Sequence, residues 1–194
     1  MPGSSLWLLP PATQPLNPLL ISLIDKTSTH FASPHRFLPH ITLTSEISAS
    51  TYSSTPQKWL DSLDLPTGAD IQVKFKRLGS SDVFFRKLYI TCEKSSGLKT
   101  LARRCRQQVA GFGEEEKAQV WVEDKYMPHL SLLYHDCPPV DAKGLVEVEQ
   151  LGDELGVSIE GKGDLDGWVG GRVILVPTDR SIDQWTPIVE RTLT

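Results

Sequence analysis

The chain has 194 residues, 39% hydrophobic and 23% charged, enough to bury the core of one globular domain or of two tightly joined lobes. Its formal net charge of −4 excludes a protein whose affinity rests on many phosphate contacts along a nucleic acid, while one local site for a small phosphorylated substrate stays compatible with it. No run reaches the roughly 18 apolar residues of a membrane span, the start lacks a basic-then-apolar leader, and Cys92, Cys105 and Cys137 form no Cys-x-x-Cys pattern, so a soluble intracellular protein without disulfides or zinc is expected.

Leu6-Trp7-Leu8-Leu9, closed by Pro10 and Pro11, reads as a buried first strand. Asn17-Pro18 signals a capped helix start, and Leu19, Leu20, Leu23, Ile24 and Phe31 recur behind it at helical spacing. A strand over residues 37–44 and a Ser/Thr-rich connection over 45–55 follow. Thr55-Pro56 repeats the start signal for a helix carrying Trp59, Leu60 and Leu63, broken by Pro66-Thr67-Gly68. Ile71, Val73 and Phe75 alternate with polar residues and, with residues 83–92, predict an antiparallel hairpin. Ser95 or Ser96 caps a third helix with the stripe Leu98, Leu101, Ala102, Cys105, Val109 and Phe112, its arginines Arg103, Arg104 and Arg106 mostly outside. Residues 114–125 read as a loop and a candidate lid ahead of a strand within 126–134. The stretch 138–151 carries both a helical opening and the strand-like alternation of Val146, Val148 and Leu151. Strands over 157–159 and 168–176, the latter with a bulge at Gly170-Gly171, and a last helix over 181–192 complete an α+β pattern.

Two segments share one frame: Pro39-His40-Ile41-Thr42-Leu43 and Pro128-His129-Leu130-Ser131-Leu132. Side chains of a strand alternate between faces, so His40 and Thr42 lie on one side and Ile41 and Leu43 on the other, and likewise His129 and Ser131 against Leu130 and Leu132. Two imidazoles turned to a common point suit phosphodiester hydrolysis, in which one takes a proton from water and the other gives one to the leaving oxygen. Each such group is worth about 10² to 10⁴ in rate, and an unperturbed histidine titrates near 6.5. The hydroxyls of Thr42 and Ser131 would donate to non-bridging phosphate oxygens, and no metal or cofactor is needed. Lys125, beside the second motif, is the basic residue expected at the phosphate. The run from Gly156 to Gly163 nearly matches a phosphate-cradling loop, but Gly163 stands where a magnesium-binding hydroxyl belongs, and it reads as a hairpin strand and turn. His135-Asp136 reads as a solvated turn, His30 and His35 as surface residues without partners, and the Cys92 and Cys105 thiols as core.

Taken with Leu6-Trp7-Leu8-Leu9-Pro10, Phe84-Phe85, Tyr126 to Tyr134, and Pro177-Thr178-Asp179 followed by Trp185, the paired motifs resemble the 2H phosphoesterase superfamily, in particular its cyclic nucleotide phosphodiesterase branch from fungi and plants, over essentially the whole chain. The resemblance implies a single bilobal catalytic domain over 1–194, with two related antiparallel sheets and outer helices around a central cleft. It implies hydrolysis of nucleoside 2′,3′-cyclic phosphates to 2′-phosphates, and of ADP-ribose 1″,2″-cyclic phosphate, a product made downstream of tRNA splicing, to the 1″-phosphate. Carried over residue by residue, it makes His129 the base and His40 the acid, and sets Trp7 and Tyr134 at aromatic positions that pack on base or ribose. A monomer acting on a small cyclic-phosphate nucleotide is expected. A 2H enzyme acting on RNA ends or 2′-5′ linkages, and a nucleotide-binding module without turnover, are the alternatives.

Overall fold

A computed structural model describes residues 3–194. Its strands are β1 (Ser4–Leu9), β2 (Ile41–Ile47), β3 (Gln72–Ser80), β4 (Leu88–Cys92), β5 (His129–Leu133), β6 (Gly167–Val169), β7 (Arg172–Pro177) and β8 (Val189–Thr192). The helices are α1 (Leu16–His30), α2 (Ala49–Tyr52), α3 (Pro56–Ser62), α4 (Ser96–Arg106), α5 (Glu115–Asp124) and α6 (Ala142–Leu155). All eight strands join one antiparallel sheet in the order β6-β3-β4-β5-β2-β1-β7-β8. Where the sequence reading expects two sheets, the structure has one curled sheet, and its two four-stranded halves meet at β2 and β5 through a single pair in register, Ile41 with Leu130.

Period-two alternation decides which side chains go where. Leu6 and Leu8 of β1 and Val173 and Leu175 of β7 enter the main core, while Trp7, Leu9, Ile174 and Val176 between them form a second, aromatic-rich cluster with Tyr134 and Trp185. The main core is closed by helices. Helix α1 packs on β5 and α6, and α4 packs on β2, β3 and α5. The α4 stripe is as its spacing predicts, with Leu98, Leu101, Ala102 and Cys105 buried and the Ser95 hydroxyl accepting from the Leu98 amide at 3.4 Å.

Several expectations are corrected. The loop expected over 114–125 is instead helix α5, Glu115–Asp124, because Ala118 and Val122 recur at helical spacing and bury against α4, and Glu115 and Glu116 complement the positive end of the helix. Residues 157–159 are a turn leaving α6, not a strand, after Gly156 ends that helix at φ +74°. Residues 181–192 are a short 3-10 turn and then β8, whose alternation places it on the edge beside β7. The strand expected over 83–92 starts only at Leu88, because Phe84–Arg86 is a 3-10 turn. Residues 168–176 are two strands in different halves of the sheet: β6 pairs with β3 and β7 with β1. Gly170 and Gly171, at φ +75° and +139°, turn the corner between them, and a Cβ on Gly171 would lie 2.5 Å from the Leu9 carbonyl oxygen. Chain-neighbouring strands at such distant places in the strand order require the sheet to curl. Arg106 is buried, not outside, with its guanidinium stacked over Phe112 and Trp121. His30 has a partner, Glu147, at 3.0 Å.

Candidate active site

Pro39 and Pro128 lead into the two central strands, and each is followed at once by a motif histidine. The Ile41–Leu130 pair sets the geometry. Extended one residue each way, the antiparallel register puts His40 opposite Ser131 and Thr42 opposite His129. Both histidines therefore share a face and lie on a diagonal of the ladder, where backbone positions are roughly 7–8 Å apart. Trp7 stands opposite Thr42 on β1, and Tyr89 opposite Ser131 on β4. The floor of the site is thus a four-strand row of alternate residues, and Ile41, Leu43, Leu130 and Leu132 point into the helix-side core as the alternation requires.

The histidines are held alike. His40 Nδ1 lies 2.6 Å from the Leu38 carbonyl oxygen and His129 Nδ1 lies 2.8 Å from that of Met127. A carbonyl only accepts, so each Nδ1 carries its proton and each neutral ring offers Nε2 as the lone pair. Their surroundings differ. His40 is 5% exposed, stacks on Trp7 with ring centroids 3.6 Å apart and planes 9° apart, and has the Tyr134 phenol 3.5 Å from Nε2. Burial drives its pKa from 6.5 to about 3, against the opposing pull of the Leu38 carbonyl, and the charge of His129 adds to the lowering. His129 is half-buried beside the edge of Tyr89, and its pKa is lowered by desolvation and then by the charge of Arg86. Burial pushes the Tyr134 phenol up, so it remains a donor at neutral pH.

One cavity of about 240 Å³ is lined by His40, Thr42, His129, Ser131, Trp7 and Tyr134, which brings six of the seven expected site residues together. Trp7, 1% exposed, lies under the His40 ring, which makes it the support of that imidazole. Tyr134 stacks on Phe37 at 3.8 Å. Thr42 has no hydrogen-bond partner for its hydroxyl among the described residues, whereas Ser131 donates to the Phe85 carbonyl at 2.9 Å. Lys125 is elsewhere, exposed on the wall of an adjoining groove that also reaches His129.

The cation in the cavity wall is instead Arg86, which the sequence reading did not single out. Its turn is pinned by its neighbours: Ser80 Oγ donates to the Lys87 carbonyl at 2.6 Å and Ser81 Oγ to the Arg86 carbonyl at 2.8 Å, while Lys87 Nζ, on a side chain 2% exposed, meets Asp82 at 2.9 Å. Phe85 and Trp185 complete the aromatic wall, stacked at 5.6 Å. The run Phe84-Phe85-Arg86 was the available signal, but in a strand assignment its arginine pointed nowhere in particular.

Residues 1–193 match the family described as cyclic phosphodiesterase-like protein. The chain belongs to that family. Among curated cyclic phosphodiesterases it is 62% identical, over all of both chains, to the 2′,3′-cyclic-nucleotide 3′-phosphodiesterase of Phaeosphaeria nodorum. It is 40% identical to the protein of that name in Neurospora crassa, again over all of both chains, and 26% identical to that of Saccharomyces cerevisiae over 84% of this chain and 80% of the yeast one. For a cyclic phosphodiesterase-like protein the cavity has a sensible inventory: two neutral imidazoles, two hydroxyls, one guanidinium and an aromatic wall. Among the described residues no group of three or more His, Cys, Asp and Glu side chains is placed to share a metal ion.

Proposed function

We propose that this chain hydrolyses nucleoside 2′,3′-cyclic phosphates to nucleoside 2′-phosphates, and ADP-ribose 1″,2″-cyclic phosphate to the 1″-phosphate, by paired-histidine acid–base catalysis that asks for no metal. The observation that carries the reading is the diagonal pair of imidazoles, each with its Nδ1 proton spent on the carbonyl two residues back and its Nε2 left as the lone pair, that of His40 facing the Tyr134 phenol at 3.5 Å. A relative at 62% identity over all of both chains, named 2′,3′-cyclic-nucleotide 3′-phosphodiesterase, supports the cyclic nucleotide part of it. In the reaction a water oxygen bonds to phosphorus and the bond from phosphorus to O3′ breaks. One histidine takes the water proton and the other delivers a proton to O3′. Thr42, Ser131 and Arg86 face the charge that builds on the non-bridging oxygens. Phe85, Trp185 and Tyr134 offer the sugar or base an apolar wall.

Burial argues for the reverse of the roles that the resemblance assigns. A bound cyclic phosphate anion stabilises one imidazolium, and the proton settles where protonation costs less. His40, 5% exposed and sealed under Trp7 and Tyr134, is harder to charge than the less buried His129. We therefore assign His40 as base and His129 as acid. A diester with a p-nitrophenyl leaving group, which departs without a proton, separates the assignments: turnover of that substrate should survive His129→Ala far better than His40→Ala, and the opposite order would restore the roles implied by the resemblance.

The primary test is product identification. Purified protein incubated with adenosine 2′,3′-cyclic phosphate and an excess of chelator should give adenosine 2′-phosphate at an undiminished rate, with ADP-ribose 1″,2″-cyclic phosphate and a short RNA oligomer compared alongside. No hydrolysis, or hydrolysis that stops with chelator and returns with a divalent cation, would refute the proposal.

A further inference from the structure

The catalytic cavity does not end at His129. Thr42, Arg86 and His129 line a second space as well, a groove of about 280 Å³ that continues between β2 and the C-terminal end of α5, toward Arg106, Trp121 and Lys125. Its charges do not cancel. Arg106 is paired with Glu46 at 3.1 Å, the carboxylate in the lining, but among the described residues neither Arg86 nor Lys125 has an acidic side chain within ion-pair distance. Two uncompensated cations on one short groove stand out on a chain of net charge −4. They sit where a substrate anchored between the histidines would next reach, because three residues belong to both walls. Beyond the groove, Trp121 and Lys125 also border a hollow of about 620 Å³ with Phe112, Val120, Glu116 and Asp124, so the cationic stretch has aromatic surface on either side.

Resting on the phosphodiesterase reading, we propose that this groove is a second anion subsite, which takes a phosphate carried on C5′ of the nucleoside cyclic phosphate between Arg86 and Lys125. The cyclic ester and a 5′-phosphate lie on opposite sides of one ribose, so a substrate whose ring phosphate rests between the two imidazoles can pass its second phosphate across the shared wall of Thr42, Arg86 and His129. Arg106 does not compete for it, being held by Glu46 and stacked on Phe112 and Trp121, and it serves to fix the aromatic rim. The subsite makes the enzyme selective for nucleotides over nucleosides among cyclic phosphates, a property the two motifs alone do not confer.

The test compares kcat/KM for adenosine 2′,3′-cyclic phosphate with that for the same compound bearing a 5′-phosphate, at low and at moderate ionic strength. A charge-assisted contact predicts a preference of about ten- to a hundredfold for the 5′-phosphorylated substrate, shrinking as salt rises. Lys125→Ala should move the ratio of the two kcat/KM values toward one, Lys125→Glu should move it further, and Lys125→Arg should keep most of it. Turnover of both substrates with equal kcat/KM, or a ratio unchanged in Lys125→Ala and Lys125→Glu, would overturn the subsite and leave the phosphodiesterase reading standing. Turnover of neither substrate would overturn both.

Discussion

Thr42 and Ser131 occupy matching places in the two motifs, yet their hydroxyls stand differently, and replacing them should not have matching effects. Among the described residues the Thr42 hydroxyl has no partner, so Thr42→Val removes the donor we assign to the reacting phosphate and keeps the side-chain shape. Loss of one such donor typically costs about 10² to 10³ in kcat. No internal hydrogen bond is lost, and stability should stay within about 0.5 kcal/mol of wild type. The Ser131 proton is already given to the Phe85 carbonyl at 2.9 Å. To serve the phosphate it must first leave that carbonyl, an exchange that offsets about 1 kcal/mol of the gain, so Ser131→Ala should lower kcat by roughly fivefold less than Thr42→Val. In return it leaves the Phe85 carbonyl unpaired, at a cost of about 1–3 kcal/mol in stability. Steady-state kinetics on adenosine 2′,3′-cyclic phosphate and urea unfolding of the two variants measure both quantities. An Ser131→Ala enzyme that loses as much kcat as Thr42→Val while unfolding at the wild-type midpoint would refute the argument.

Two further outcomes follow from burial. The pKa of His40 falls from 6.5 to about 3 on folding because burial penalises the imidazolium, so in that window the unfolded chain binds more protons than the native one, and the stability present above 6.5 is lost as pH drops toward 3. At pH 4 the loss from this residue is on the order of 3 kcal/mol, and urea midpoints at pH 7 and pH 4 should differ less in His40→Ala than in wild type; an identical pH dependence in the two proteins would dismiss the burial account. Lys87 is buried with one carboxylate partner, itself exposed, so Asp82→Ala should cost about 1–3 kcal/mol, and adding Lys87→Met should recover most of it. A double variant no more stable than Asp82→Ala alone would show that the pair is not what holds this turn.

The parts of the molecule that were legible in the sequence are those governed by short repeats. Alternation in the two motif strands assigned His40, Thr42, His129 and Ser131 to one face and their aliphatic neighbours to the other, and the stripe of α4 was equally plain. Helix α5 was hidden because three consecutive glutamates and a scatter of polar residues mask a stripe reduced to Ala118, Trp121 and Val122. The end of the chain misled in the opposite sense: Ile182, Trp185, Ile188 and Val189 are spaced like a helix, but Trp185 is drawn into the aromatic cluster and the residues after it pair with β7. The run Phe84-Phe85-Arg86 did not tell where Arg86 would lie. Its place depends on a turn pinned by Ser80, Ser81 and Asp82, contacts that no local period announces. Lys125, next to the motif in sequence, lines the groove rather than the cavity, because it caps the C-terminal end of α5 and residues 126–128 separate it from β5.

The two strands that carry the histidines are joined to each other by almost nothing, one pair in register. What keeps them in place is behind the sheet. Helix α1, which links β1 to β2, lies under β5, and α4, which follows β4, lies under β2. Each half of the molecule thus braces the other half's catalytic strand, as the diagonals of a truss hold a joint that would otherwise fold. The register of that pair sets where the imidazoles stand, and the hydrophobic core behind the sheet helps to hold it. Core substitutions in α1 or α4, far from any substrate, should therefore act on turnover by changing the distance between His40 and His129.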